Sequence, residues 1–154
     1  MSGLEERHPS GRPAASSDII RRNMRSQKRR DTGCEMAVRR ILHADGVRYR
    51  VDFRPLPDQK FRVDIGWKSR KVAVFIDGCF WHACPEHLSI PKRNTEWWEA
   101  KLKANSDRDA RTNSILRARG WTVLRFWEHE PPAGVADVIR THLRRSAVSD
   151  VCQS

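Results

Sequence analysis

An aspartate inside an otherwise apolar run is the first residue of this sequence that demands a partner. Asp64 stands within Phe61-Arg-Val-Asp-Ile-Gly66, and a carboxylate buried in a strand is costly unless a metal or a base neutralises it. A strand-borne Asp is a usual anchor for Mg²⁺, a hard cation that polarises a phosphate ester and readies a water for attack. The competing reading has Asp64 facing solvent near a strand end. His82 follows the next apolar run and ionises near neutral pH, so it suits removal of a proton from that water. A histidine standing alone is nevertheless more often structural. Asn105 and Asp109, at i and i+4 on one helical face, are spaced to meet either the metal's water shell or His82. Glu35 is a further acidic residue, but a helix-capping box in Thr32-Gly-Cys-Glu35 accounts for it equally well.

A second constellation is Cys79-x4-Cys84-x2-His87, in a loop after an apolar strand, with His129 just beyond the last strand. Two thiolates and two imidazoles complete a closed, structural, tetrahedral Zn²⁺ site. Chance Cys and His pairs arise easily in 154 residues, and His82 and Glu86 compete for a ligand position. Cys34 reads as a buried helix residue and Cys152 as a tail residue. Phe80 and Trp81 share the same loop; they either pack beneath it or meet a partner, for instance by wedging between base steps.

The elements that must position these groups follow from patterning. Thr32 starts an amphipathic helix through Met36, Val38, Ile41 and Leu42 that runs to Gly46. Strands are expected over Val47 to Phe53, Phe61 to Gly66 and Lys71 to Asp77, the last a buried central strand. Asn94 or Thr95 can cap a long helix that ends before Gly120, with Trp98, Leu102, Asn105, Asp109 and Leu116 near one face. A strand from Trp121 to Trp127 and a helix from about Gly134 to Ser146, after Pro131-Pro132, close the domain. The result is a single mixed α/β domain over 17–146, with disordered ends at 1–16 and 147–154.

Thirty Lys and Arg against nineteen Asp and Glu give a net charge of +11 and a pI near 10.4, which favours a polyanionic partner, nucleic acid being the commonest. Part of that charge, including Arg25, Arg29 and Arg30, precedes the first helix and would line a phosphate backbone; a solvated basic face is the plainer alternative. No stretch approaches the roughly 20 apolar residues of a membrane span, and no signal-peptide core is visible, so a soluble, intracellular protein is expected. In a reducing compartment a close Cys pair beside histidines more often binds metal than forms a disulfide.

Taken in order, these residues resemble the very short patch repair (Vsr) DNA mismatch endonucleases. The resemblance runs from about Met24 to Glu130 and rests on Arg-Asp-Thr-x2-Glu35, the Asp64 strand, Gly-Cys-Phe-Trp-His82, Asn-x3-Asp109 and Gly-Trp-x-Val-Leu-x2-Trp-Glu128. It implies a restriction-endonuclease-like fold, a central mixed sheet flanked by helices, that nicks one strand 5′ to the thymine of a T:G mismatch with catalytic Mg²⁺ and structural Zn²⁺. By position it makes Asp64 the principal Mg²⁺ ligand with the backbone carbonyl of Ile76, and His82 the general base. Asp109 then holds that histidine, Glu35 completes the site, and Asn105 belongs to the same catalytic group. Phe80, Trp81 and Trp98 match the aromatics that intercalate beside the mismatch. Cys79 aligns directly as a zinc ligand, Cys84 takes a place that can be His and His129 one that can be Cys, while His87 stands one residue off the usual spacing.

The wider nuclease superfamily usually carries an acidic residue and a lysine on the strand after the first Asp. Here that strand ends Phe75-Ile76-Asp77 without the lysine, and the Vsr-like histidine substitutes for it. Asp77 is left without a role. The resemblance further implies a cytoplasmic, nucleoid-associated prokaryotic enzyme, monomeric, working beside repair proteins such as MutL and a cytosine-5 methyltransferase. Two rivals stand beside it: a nuclease of the same fold without mismatch preference, and a zinc-stabilised DNA-binding module without catalysis.

Overall fold

A computed structural model describes residues 32–79 and 81–151, with side chains as far as 147. The expectations for Arg25, Arg29, Arg30, Phe80, Cys152 and the 1–16 arm lie outside the described residues. Thr32 begins helix α1, Gly33–Ala44, and its Oγ1 accepts the Glu35 amide at 3.3 Å. Val38 and Leu42, one turn apart, are the fully buried apolar positions of that helix.

Four strands follow the expected runs with shortened ends: β1 (Arg50–Phe53), β2 (Val63–Trp67), β3 (Val72–Asp77) and β4 (Thr122–Trp127). β1 starts at Arg50 rather than Val47 because the intervening segment is tied back to α1. The Val47 amide donates to Leu42 O at 2.9 Å and the Tyr49 hydroxyl to Arg39 O at 3.0 Å. The strands lie side by side in chain order, β1–β2 and β2–β3 antiparallel and β3–β4 parallel. A parallel pair needs a long crossover, and helix α2 (Thr95–Ala118) supplies it. The register Asp77↔Trp127 brings the loop after β3 and the turn after β4 out at the same end of the sheet. Two candidate groups far apart in sequence are thereby made neighbours.

All six residues of β3 are buried, as its unbroken apolar run requires. Val72, Val74 and Ile76 join Ile65, Leu42, Phe126 and Ile139 under α1 and the last helix, α3 (Pro132–Val151); Ala73 and Phe75 join Leu116 and Trp121 under α2. The sheet is thus covered on both faces, and each enclosed Leu or Ile contributes about 1.5–3 kcal/mol by leaving water. This is the expected α/β class, a mixed sheet flanked by helices.

Two local expectations are altered. Asn94 precedes α2 in the left-handed region, φ 59°, and its side chain makes no capping bond. Thr95 instead donates its hydroxyl to Lys92 O at 3.0 Å and Pro91 O at 3.2 Å. Helix α3 continues to Val151, past the Ser146 at which an end was expected. Among the described residues no helix is long and apolar enough to cross a membrane.

Candidate active site and metal centre

The β2–β3 ladder ends at Ile65↔Val74, and there Asp64 turns its carboxylate onto the neighbouring strand. Its Oδ2 accepts the Ile76 amide at 2.8 Å, in place of a backbone partner. Burial lifts the Asp64 carboxyl to about 7; the Ile76 amide pulls it down, and the charges of Glu35 and Asp77 push it up again. Near neutral pH such a group takes up either a proton or a cation.

Asp64, Ile76, His82 and Asp109 line one open groove of about 580 Å³, with the exposed Lys60, Arg108 and Arg111 at its edge. The loop after β3 turns sharply, the His82 amide donating to Gly78 O at 3.1 Å. The His82 Nδ1 meets Asp109 Oδ2 in a short hydrogen bond, with Asp77 Oδ1 3.7 Å away. Burial disfavours the charged imidazole, but the Asp109 bond and the charges of Asp77 and Asp109 outweigh it and raise its pKa. For Asp109, burial is likewise overcome, here by His82, and its carboxyl is held below the usual range. With Nδ1 engaged by carboxylate, Nε2 is the ring atom left to exchange a proton.

Asn105 does not reach His82. Its Nδ2 donates to the backbone carbonyl of Trp81 at 3.0 Å, so it holds the loop and not the imidazole. Glu35 is 3% exposed and pairs with Arg39 at 3.4 Å; its charge is felt by Asp64, yet it is not part of the described groove lining. Asp77 is engaged by Arg125, whose Nη1 lies 2.8 and 2.9 Å from its two oxygens. Arg125 is a functional candidate absent from the sequence reading, although a charged residue within the strand Trp121 to Trp127 carries the same signal as Asp64 in its own strand.

At the same end of the sheet Cys79, Cys84, His87 and His129 converge, one ligand atom from each lying within 4.8 Å of all the others. Cys79 Sγ is 3.1 Å and Cys84 Sγ 3.8 Å from His129 Nδ1, and Cys84 Sγ is 3.7 Å from His87 Nδ1. With metal–sulfur bonds of about 2.3 Å and metal–nitrogen bonds of about 2.0 Å, tetrahedral zinc separates its ligand atoms by roughly 3.3–3.8 Å, so the cluster is compatible with zinc. Glu86 is not one of the four. Its Oε2 lies 3.4 Å from His129 Nε2, where it orients that ring from outside. The Cys79 amide donates to Glu128 Oε1 at 3.0 Å, a second tie between loop and turn. Cys34 is half-buried on α1, its thiol 3.9 Å from Glu130 O.

Of the aromatics, Trp81 is partly exposed and its ring lies 6.2 Å from that of Trp98. Trp98 is 7% exposed and meets Trp97 edge-on at 4.8 Å, so in this conformation it underpins Trp81 rather than projecting from the surface.

Comparison with known proteins places the chain in a family. Residues 17–86 match the family model described as DNA mismatch endonuclease Vsr. The chain is 47% identical over 126 residues to the type II nicking enzyme V.NaeI of Lentzea aerocolonigenes, covering 80% of this chain and 76% of that protein. It is 36% identical over 108 residues to the DNA mismatch endonuclease Vsr of Escherichia coli, covering 70% of this chain and 67% of that protein. Among solved structures, the catalytic domain of the homing endonuclease I-Bth0305I aligns with a TM-score of 0.46 and 18% identity, over 77% of this chain and 97% of that one. An enzyme that cuts DNA internally is the class so defined, and the chain belongs to the Vsr family of endodeoxyribonucleases.

Proposed function

We propose that this enzyme nicks one strand of duplex DNA 5′ to the thymine of a T:G mismatch, using His82 as general base and a divalent cation, Mg²⁺, at Asp64. The observation that carries the reading is the convergence of Asp64, Ile76, His82 and Asp109, from two strands, a loop and a helix, on one groove. A cation held by Asp64 and the Ile76 carbonyl would supply charge to polarise the scissile phosphate. The donor set fits that role: Asp64 is a largely enclosed carboxylate to which, among the described residues, no cationic side chain is bonded, and Glu35 and Asp77 add negative charge around it.

His82 takes the proton of the attacking water on Nε2, while Asp109 on Nδ1 fixes the tautomer and stabilises the imidazolium that forms. The water oxygen bonds to phosphorus and the bond from phosphorus to the leaving sugar oxygen breaks. Asn105 keeps His82 in place by holding the Trp81 carbonyl next to it. Trp81, backed by Trp98, is the group that enters the weakened stack beside the mismatch, with Phe80 as its neighbour in the chain. Lys60, Arg108 and Arg111 serve phosphates along the groove. Cys79, Cys84, His87 and His129 hold Zn²⁺, which pins the loop that carries Trp81 and His82. The same reading has a cytoplasmic monomer acting on DNA alongside MutL-like repair proteins and a cytosine-5 methyltransferase.

The test is a nicking assay in Mg²⁺ on T:G and T:A duplexes of otherwise identical sequence. The T:G duplex alone should be nicked, and Asp64→Ala and His82→Ala should abolish nicking while duplex binding survives. Equal cutting of both duplexes would leave a nuclease without mismatch preference; undiminished nicking by either variant would remove that residue from the chemistry.

A further inference from the structure

One pair of groups beside His82 enters the mechanism just described only through the charge of Asp77. Asp77, the last residue of β3, is 8% exposed and gives both carboxylate oxygens to Arg125 Nη1. The guanidinium is held elsewhere as well. Its Nε donates to Asn113 Oδ1 at 2.7 Å, its Nη2 lies 3.8 Å from Asp109 Oδ1, and its carbon sits 4.1 Å from the centre of the Phe75 ring. Arg125 on β4 therefore touches the end of β3 through Asp77 and Phe75, and the middle of α2 through Asp109 and Asn113. A planar fork fixed at so many points is a rigid strut in a way that the single charge of a lysine is not.

The two carboxylates that Arg125 holds are the two that approach His82 Nδ1. Left alone they would repel each other across the imidazole, and Asp109, whose side chain on α2 keeps 18% of its surface in solvent, would have a path to turn outward. We infer that Asp77 and Arg125 form a positioning pair for the reaction. Arg125 sets the distance between the end of β3 and α2, and so presents Asp109 to Nδ1 of His82 and keeps Nε2 for the water. Asp77 acts through Arg125, not as a ligand for the cation, since both its oxygens are committed to the guanidinium. The assignment rests on His82 as the base and adds the groups that aim it.

The experiment is steady-state nicking of a T:G duplex by the full-length protein and its Asp77→Asn, Arg125→Lys, Arg125→Ala and Asp77→Asn/Arg125→Ala variants, with His82→Ala as reference. Each single change is expected to lower kcat about 10- to 100-fold and to leave KM within about threefold. The double variant should be no worse than the poorer single one, because both act through one contact. Guanidinium ion added at millimolar concentration should restore part of the kcat of Arg125→Ala. A merely structural role predicts no such rescue, and a lowered unfolding midpoint with KM and kcat both disturbed. Wild-type kcat in a folded Arg125→Ala overturns the proposal, as do losses that multiply in the double variant. Should Arg125→Ala not fold, wild-type kcat in both Arg125→Lys and Asp77→Asn overturns it equally. If His82→Ala is inactive while the Arg125 and Asp77 variants are fully active, the pair alone falls; if His82→Ala nicks at the wild-type rate, the base assignment falls and the pair with it.

Discussion

The side-chain amide of Asn105 donates to the backbone carbonyl of Trp81 at 3.0 Å, joining the interior of α2 to the residue that precedes His82. Asn105 is buried, so removing the donor leaves a carbonyl without its partner, at a cost of about 1–3 kcal/mol. Asn105→Ala is expected to lose that much stability in denaturant titration and to nick more slowly. Asn105→Asp, nearly the same shape but with an acceptor facing an acceptor, should lose more than Asn105→Ala. Equal stability of Asn105→Asp and wild type would show that the bond does not form in solution.

Asp64 makes the stability of the metal-free protein depend on pH. Its carboxyl is raised to about 7 in the fold against about 3.9 in an unfolded chain. The folded form therefore holds the proton more tightly, and the stability it contributes is complete below about pH 4 and lost as pH rises through about 7. In chelator, from about pH 5 to about pH 8, wild type should lose on the order of 2 kcal/mol relative to Asp64→Asn. Added Mg²⁺ should stabilise wild type more at the alkaline end, where the carboxylate is free of its proton. Parallel pH profiles for wild type and Asp64→Asn would contradict the assignment.

The purified protein is expected to carry about one zinc per chain. Cys84→Ala and His129→Ala should each lose the metal and lower the unfolding midpoint by about 5 °C or more. Glu86→Gln, which leaves the four ligands intact, should keep the metal and weaken its binding by no more than about tenfold. Unchanged zinc content in His129→Ala would exclude His129 as a ligand.

Gly66 has no room for a side chain. A Cβ there would stand 2.7 Å from Phe53 Cε1 and 2.8 Å from Val72 O. Gly66→Ala should cost about 1–3 kcal/mol, read by thermal or chemical unfolding. Adding Phe53→Ala would relieve the ring contact and not the backbone one, so only part of the lost midpoint should return, beyond the cost of Phe53→Ala itself.

What the sequence disclosed, and what it withheld, follows from the range of each interaction. Patterning placed all four strands of the sheet, β3 most directly, because a doubly covered strand is apolar along nearly its whole length, and β1 least, because it alternates polar with apolar residues. Asp64 and His82 stood out because each is a polar group in apolar company, and Cys79, Cys84, His87 and His129 because few residue types bind zinc. The termini moved where a tertiary bond intervened, as when Val47 and Tyr49 were drawn back onto α1. The partners of polar residues were the least legible. Asn105 was noticed, but its bond runs to a main-chain carbonyl, which no side-chain pattern reveals. The sequence assigns Asp77 no role because its partner, Arg125, lies 48 residues further on, across a parallel strand pair whose alignment only the fold determines.

That parallel pair also governs when the enzyme comes into being. Contacts such as Cys79 with His129, 50 positions apart, carry a loop-closure cost and cannot form until the later strand exists. A nascent chain still on the ribosome and ending before Arg125 already contains Asp64, His82 and Asp109, but has neither the whole of β4 nor His129, the partner of Cys79. Cutting competence thus waits on the synthesis of β4 and of the turn that follows it, and a chain that stops short of them holds the reacting side chains without the frame that aims them.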